Sequence, residues 1–162
     1  MLSFYVHIPY CIKRCGYCDF NTYTPSELQD GATLEIVSND YIDAVLRELE
    51  AAPTDPVPTI FFGGGTPSLL PAHDVGGVIA AIKVRNGLTA DCEVPLEANP
   101  DSVTAEKLAE YLQVGFNRIS FGMQSAKPHV LAALDRTHNP ANVEKAITMA
   151  RAAGFQDRKS VV

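Results

Sequence analysis

Three of the four cysteines in the chain fall within the eight residues CIKRCGYC, at Cys11, Cys15 and Cys18. An odd cluster of thiols cannot be used up by pairing within itself, so shared coordination explains it better than disulfide bonding. Thiolates are soft ligands that suit zinc, copper(I) or iron–sulfur clusters. Structural zinc wants a closed set of four ligands. Here the fourth cysteine, Cys92, lies far along the chain, at what reads as the start of a strand, and His7 lies inside an earlier one. Cys92 therefore reads as a small core hydrophobe. Three thiolates on a four-iron cluster leave one iron without a protein ligand. That is a defect in an electron carrier, which uses four cysteines, and an advantage where the cluster must bind a substrate. Unliganded thiols and a thiolate zinc site are the competing readings.

Four further short stretches carry residue types that suit a polar ligand. FFGGGTPS places Gly63, Gly64 and Gly65 in a row, where backbone N–H and C=O groups can approach a zwitterion closely. The lack of a following Gly-Lys-Ser/Thr rules out a Walker loop. In LEANPDS, Glu97 can accept two hydroxyls, as a ribose offers. In SFGMQS, Gln124 supplies a donor and an acceptor. In LDRTHNP, Arg136 can meet a carboxylate in a planar fork, although a solvated helix-end cation is the plainer account. The same holds for His138 as a surface cap, and for Lys13 and Arg14 as solvated loop cations that could otherwise offset a cluster's charge or receive a redox partner.

Strand-like and helix-like segments alternate around these stretches. SFYVHI reads as a strand, followed by the cysteine loop. Residues 39–52 carry Ile42, Val45, Leu46 and Leu49 on one helical face, with Asn39 or Asp40 as the cap. PTIFFGGG reads as a buried strand and residues 72–84 as a helix in spite of two internal glycines. CEVPLEA reads as a third strand, weakened by Pro95. Residues 104–115 form a helix capped by Thr104 and ended by Gly115. FNRISFG is a fourth strand, and residues 140–154 are a helix ending at Gly154. Four strand–helix units in series require right-handed crossovers and a parallel sheet. The fold class is α/β, and either a barrel-type or a doubly wound sheet fits about four such units. The unusual residues all follow strands, where ligands sit in such sheets.

With 162 residues the chain is large enough for one domain with a real core, and 46% hydrophobic against 20% charged is ordinary globular composition. No apolar run reaches the roughly 20 residues of a membrane span, and the first residues lack the basic and small-residue features of a secretory signal. A cytoplasmic location, where thiols stay reduced, is expected. The net charge of −6, with scattered basic residues, argues against nucleic acid as a partner.

YVHIPYCIKRCGYCDF, FFGGGTPS, EANP, GFNRISFGMQS and RTHN together resemble the radical SAM superfamily, in the branch that contains oxygen-independent coproporphyrinogen III oxidases and HemW-type heme chaperones. The resemblance runs from about residue 4 to residue 155. It implies that Cys11, Cys15 and Cys18 hold a [4Fe-4S] cluster whose open iron binds S-adenosylmethionine. It also implies that Tyr5, Tyr17, Gly64, Gly65, Thr66, Glu97, Gln124 and Arg136 line the nucleotide site. In that family an electron from the cluster cleaves the sulfonium and yields a 5′-deoxyadenosyl radical. Heme or a porphyrin is the expected substrate or cargo, and a flavodoxin- or ferredoxin-like protein the expected electron donor. The oxidases carry a further cysteine two positions after the last cluster cysteine. Here that position is Phe20, which shifts the expectation toward the chaperones. The resemblance implies a partial (β/α) barrel of about four strand–helix units; the relatives are more than twice as long, so residues 1–156 are expected to be part of a radical SAM core. Residues 157–162 are expected to be a tail foreign to it, with the C-terminal domain absent.

Overall fold

The computed structural model describes residues 2–28, 34–136 and 139–155, the side chains of residues 34–37 excepted. His138 and the expected tail lie outside the described residues. The elements are β1 (Phe4–Ile8), α1 (Leu34–Leu49), β2 (Val57–Gly64), α2 (Ala72–Asn86), β3 (Leu88–Glu93), β4 (Pro95–Ala98), α3 (Ala105–Gln113), β5 (Arg118–Phe121), α4 (Pro128–Ala133) and α5 (Pro140–Ala153). The five strands are all parallel, in the order β1-β2-β4-β5 with β3 alongside β2. Among the described residues the sheet does not close on itself, and the architecture is an open arc of parallel strands and helices; the alternation of elements predicts the parallel α/β sheet, and the resemblance predicts the partial barrel.

Strand periodicity sorts the residues onto two faces. Val6, Ile60, Phe62, Leu96 and Phe121 are buried on the outer face. They pack into one core with Val75, Val78 and Ile82 of α2 and Leu108 and Tyr111 of α3. Register links Val6 to Phe62, Phe62 to Leu96 and Ala98 to Phe121. The residues between them, Tyr5, His7, Phe61, Glu97 and Ser120, belong to the inner, concave face. There the rings of Tyr5 and Phe61 stack at 5.8 Å. The two glycines in α2 divide by role. At Gly76 a Cβ would stand 2.6 Å from the Val114 side chain, so the residue's bareness lets α2 approach the end of α3, while Gly77 faces open space.

Three expectations are corrected. Helix α1 begins at Leu34, not near position 39, so Asn39 and Asp40 lie inside it; the apolar spacing runs back through Ser38, which is buried. The third strand is two strands. Pro95 has no N–H to give a ladder, and pairing to β2 shifts across the break. Asn117 bridges the gap: its Oδ1 accepts from Val94 N at 2.8 Å and its Nδ2 donates to Cys92 O at 2.8 Å. Cys92 therefore sits within β3 and not at a strand's start. Helix α4, opened by Pro128 at its first position, has no counterpart in the sequence reading. The ends of α3 and α5 stand, with Thr104 accepting from Lys107 N at 3.2 Å and Gly115 and Gly154 at positive φ of 111° and 112°, while α1 ends at Leu49 and α2 runs on to Asn86.

Because Leu96 is wholly buried between sheet and helices, Leu96→Ala is expected to lower unfolding free energy by about 2–5 kcal/mol. Val84→Ala, at an 89% exposed position, should stay within about 0.5 kcal/mol. Urea denaturation of the two variants checks both values.

Candidate functional site

The cysteine loop is closed by backbone and by one arginine. Tyr10 and Tyr23 form an isolated parallel bridge, with Cys11 N donating to Tyr23 O at 3.0 Å. Arg14 spans the loop: its guanidinium donates to Thr22 Oγ1 at 3.2 Å, to the Thr22 carbonyl, and to Glu27 at 2.9 Å. Arg14 is thus a brace of the loop and not a freely solvated cation. Lys13 likewise meets Asp135 at 3.7 Å.

The glycine loop is stitched to the start of this one. Gly65 N donates to Ile8 O at 2.7 Å and Thr66 N to Tyr10 O at 2.8 Å. A Cβ on Gly65 would lie 2.6 Å from Tyr10 O, so only glycine permits the approach. Thr66 Oγ1 then lies 3.7 Å from Cys11 Sγ, to which it donates. On the neighbouring strand end, Glu97 accepts from Gly64 N at 3.2 Å. After β5, α4 returns the chain to the cysteines: Gly16 N donates to Leu134 O at 3.1 Å. Arg136 donates through Nη1 to Cys15 Sγ at 3.4 Å and through Nη2 to Gly122 O at 2.8 Å. Among the described residues two non-glycine residues take positive φ, Gln124 at 58° and Asp135 at 53°, and both stand at this site.

Four strand-end loops thereby enclose one cavity of about 420 Å³. Cys11, Cys15 and Cys18 line it together with Tyr17, Gly64, Gly65, Thr66, Glu97, Gln124 and Arg136. Tyr5 is the exception among the residues expected to line the nucleotide site. It lies on the concave face, 54% exposed, its hydroxyl 3.1 Å from His7 Nδ1, while His7 Nε2 meets Asn21 O at 2.8 Å. Cys92 stands away from the cavity. Asn99, Ser120 and Asp135 line it as well, and the sequence reading assigned them no role. Ser120 was findable, since its register opposite Glu97 puts both on the inner face. Asp135 carried no local signal, because its place depends on how α4 returns.

Burial raises the Cys11 thiol above its ordinary value. The Thr66 hydroxyl opposes this, while the nearby Cys18 and Cys15 reinforce it. Burial also raises the Glu97 carboxyl, and the Gly64 N–H only partly offsets it. Arg136 Nε is buried and has no hydrogen-bond partner among the described residues, while its two terminal nitrogens donate to Cys15 and Gly122. Among the described residues, no three His, Cys, Asp or Glu side chains form a group that could hold a single metal ion. One zinc would gather its thiolates about 4 Å apart, each about 2.3 Å from the metal. A cluster that takes one thiolate per iron spreads them wider, and three soft donors around a shared cavity suit that group.

The chain matches the Radical SAM superfamily over residues 5–162. It belongs to that superfamily. It is 45% identical over 156 residues to the heme chaperone HemW of Mycobacterium tuberculosis H37Rv, covering 93% of this chain and 38% of that protein. To HemW of Escherichia coli K12 it is 37% identical over 159 residues, covering 96% and 40%. Among solved structures, the Escherichia coli coproporphyrinogen III oxidase HemN, a radical SAM enzyme, superposes with a TM-score of 0.80 at 27% identity, covering 94% of this chain and 35% of that one. The chain thus spans about two fifths of the length of the curated relatives it matches. The open sheet is the radical SAM barrel's arc, with its cysteine loop at the carboxyl end of β1. No helix among the described residues is long and apolar enough to cross a membrane.

Anaerobic reconstitution with iron and sulfide is expected to give a brown product from the wild type and from Cys92→Ala, and none from Cys15→Ala; absorbance and iron content read the result. A second expectation concerns Glu97 in the metal-free chain. Its folded carboxyl titrates above the ordinary value of 4.5, so the folded state binds the proton more tightly than the unfolded one. Stability attached to that proton is complete below pH 4.5 and is lost as pH rises through the raised value. Glu97→Gln should therefore be the more stable protein at pH 7, with the gap closing as pH falls through that window. Thermal melts across pH 4–8 test the sign.

Proposed function

We propose that this chain is the cofactor-binding portion of a HemW-like heme chaperone. Cys11, Cys15 and Cys18 hold a [4Fe-4S] cluster, and the loops carrying Gly64, Gly65, Thr66, Glu97, Gln124 and Arg136 receive S-adenosylmethionine. What carries the proposal is the meeting of three thiols, a glycine-rich backbone, a half-buried carboxylate and a guanidinium around one cavity. When bound, the cluster supplies a low-potential electron to the sulfonium nucleotide. The chain's own residues do the positioning. Arg136, anchored on Gly122 O, offers charge to a carboxylate, and Glu97, held by Gly64 N, offers oxygens to ribose hydroxyls. Tyr17 forms an aromatic wall beside the last cysteine. Tyr5 approaches the nucleotide from the concave face and not from the cavity wall.

Phe20 favours the chaperone over an oxidase. It lines the cavity and is 57% exposed, in the place where the oxidases carry a further cysteine. Cargo is then heme or a porphyrin, the electron donor a flavodoxin- or ferredoxin-like protein, and the setting the cytoplasm. Residues 1–156 form the partial core.

Loaded chain is expected to contain about four iron and four sulfide and to change its electron paramagnetic resonance spectrum on addition of S-adenosylmethionine. With coproporphyrinogen III, the nucleotide and dithionite, it is expected to leave the propionates intact. Decarboxylated product would move the assignment to the oxidase, and one tight zinc without sulfide would replace it with a thiolate zinc module.

A further inference from the structure

We propose that the Thr66 hydroxyl sets how readily a cluster held by Cys11 accepts an electron, an inference that rests on the cluster assignment above. The hydroxyl's aim is over-determined by backbone. Gly65 brings the loop to within hydrogen-bond distance of Ile8 O, and Thr66 N is fixed on Tyr10 O, the carbonyl just before Cys11. Pro67 follows, which keeps Thr66 out of the helical region, and Thr66 stands at φ −141° and ψ 82°. With both ends of the residue held, the side chain has Cys11 Sγ as its acceptor at 3.7 Å.

The consequence is electrostatic. One-electron reduction adds a negative charge that is shared by the ligand sulfurs, so a hydrogen bond to a ligand sulfur stabilises the reduced form more than the oxidised one. Arg136 Nη1 does the same for Cys15 at 3.4 Å, but the guanidinium also faces the nucleotide, so its removal would mix two effects. Thr66 isolates one. It is a positioning residue that acts through a ligand, and its hydroxyl can be deleted at nearly constant shape.

The test is anaerobic redox titration of the reconstituted chain, with the reduced cluster followed by electron paramagnetic resonance. One electron passes from dithionite, which is oxidised, and no bond is made or broken in the protein. Wild type, Thr66→Val, Thr66→Ala and Thr66→Ser are compared. Thr66→Ser is expected to titrate with the wild type. The two hydroxyl-free variants are expected to show a reduced-to-oxidised ratio about tenfold lower at the same ambient potential, a shift of about 59 mV to more negative values. Thr66→Ala keeps the comparison open where Thr66→Val disturbs the loop. Hydroxyl-free variants that titrate with the wild type overturn the proposal, as does a Thr66→Ser that shifts along with them, since the hydroxyl would then be irrelevant. A wild type that takes up no iron and sulfide overturns the cluster assignment itself, an outcome separate from the other two.

Discussion

The site depends on one close backbone approach, at Gly65. Parallel pairing of β1 and β2 ends at Gly64, yet two hydrogen bonds continue it, from Gly65 N to Ile8 O and from Thr66 N to Tyr10 O. The contact leaves no room for a Cβ. It fixes the cysteine loop and the glycine loop as one body, since the carbonyls that receive these bonds belong to the residues leading into Cys11. From that junction follow the Thr66–Cys11 contact and the presentation of Gly64 N to Glu97. A loop free of this constraint would let three thiols drift, and ligands held within fractions of an ångström are what a cluster site needs.

The second organising fact is the division of the sheet into a dry face and a concave one. The outer face is covered by α2 and α3, with Phe62, Phe116 and Tyr111 packed edge to face. It holds the strands in place, while the concave face and the strand-end loops supply the charged and thiol groups of the cavity. Tyr111 nevertheless links core to site: its buried hydroxyl donates to Leu70 O at 2.7 Å, at the exit of the glycine loop. Beside it Lys107 Nζ donates to Ser68 O at 2.5 Å, and Ser68 and Ser102 hydroxyls meet at 2.5 Å. Those contacts tie the glycine loop to the loop after β4, so two walls of the cavity share one polar brace. Ser68 is wholly buried, and a buried hydroxyl with its partners satisfied is a rigid element.

Much of this was legible in residue order. The β-branched and aromatic runs of β1, β2 and β5, the helical spacing of α2, α3 and α5, and the Thr104 and Gly154 ends needed no tertiary information, because each is decided by propensity and capping within a few residues. The errors arose where local rules compete. Pro95 was read as a weak point in one strand, whereas the chain breaks there and Asn117 takes over the missing ladder contacts. The start of α1 was set by attractive cap residues that turned out to be interior. Helix α4 is six residues long, too short for periodicity to announce it.

The sequence by itself determined the chemistry on offer: three soft thiolates spaced for one loop, glycines where backbone must come close, and a carboxylate, an amide and a guanidinium placed after successive strands. These are properties of residue type and spacing, which the order of amino acids states directly. Only the tertiary structure decided who touches whom. It gave Thr66 to Cys11, Arg136 to Cys15 and Arg14 to the loop's own closure, and it moved Tyr5 off the cavity wall onto the concave face. Such pairings join residues far apart in the chain, and their geometry is set by strand register and by the path on which α4 returns, neither of which any short stretch of sequence contains.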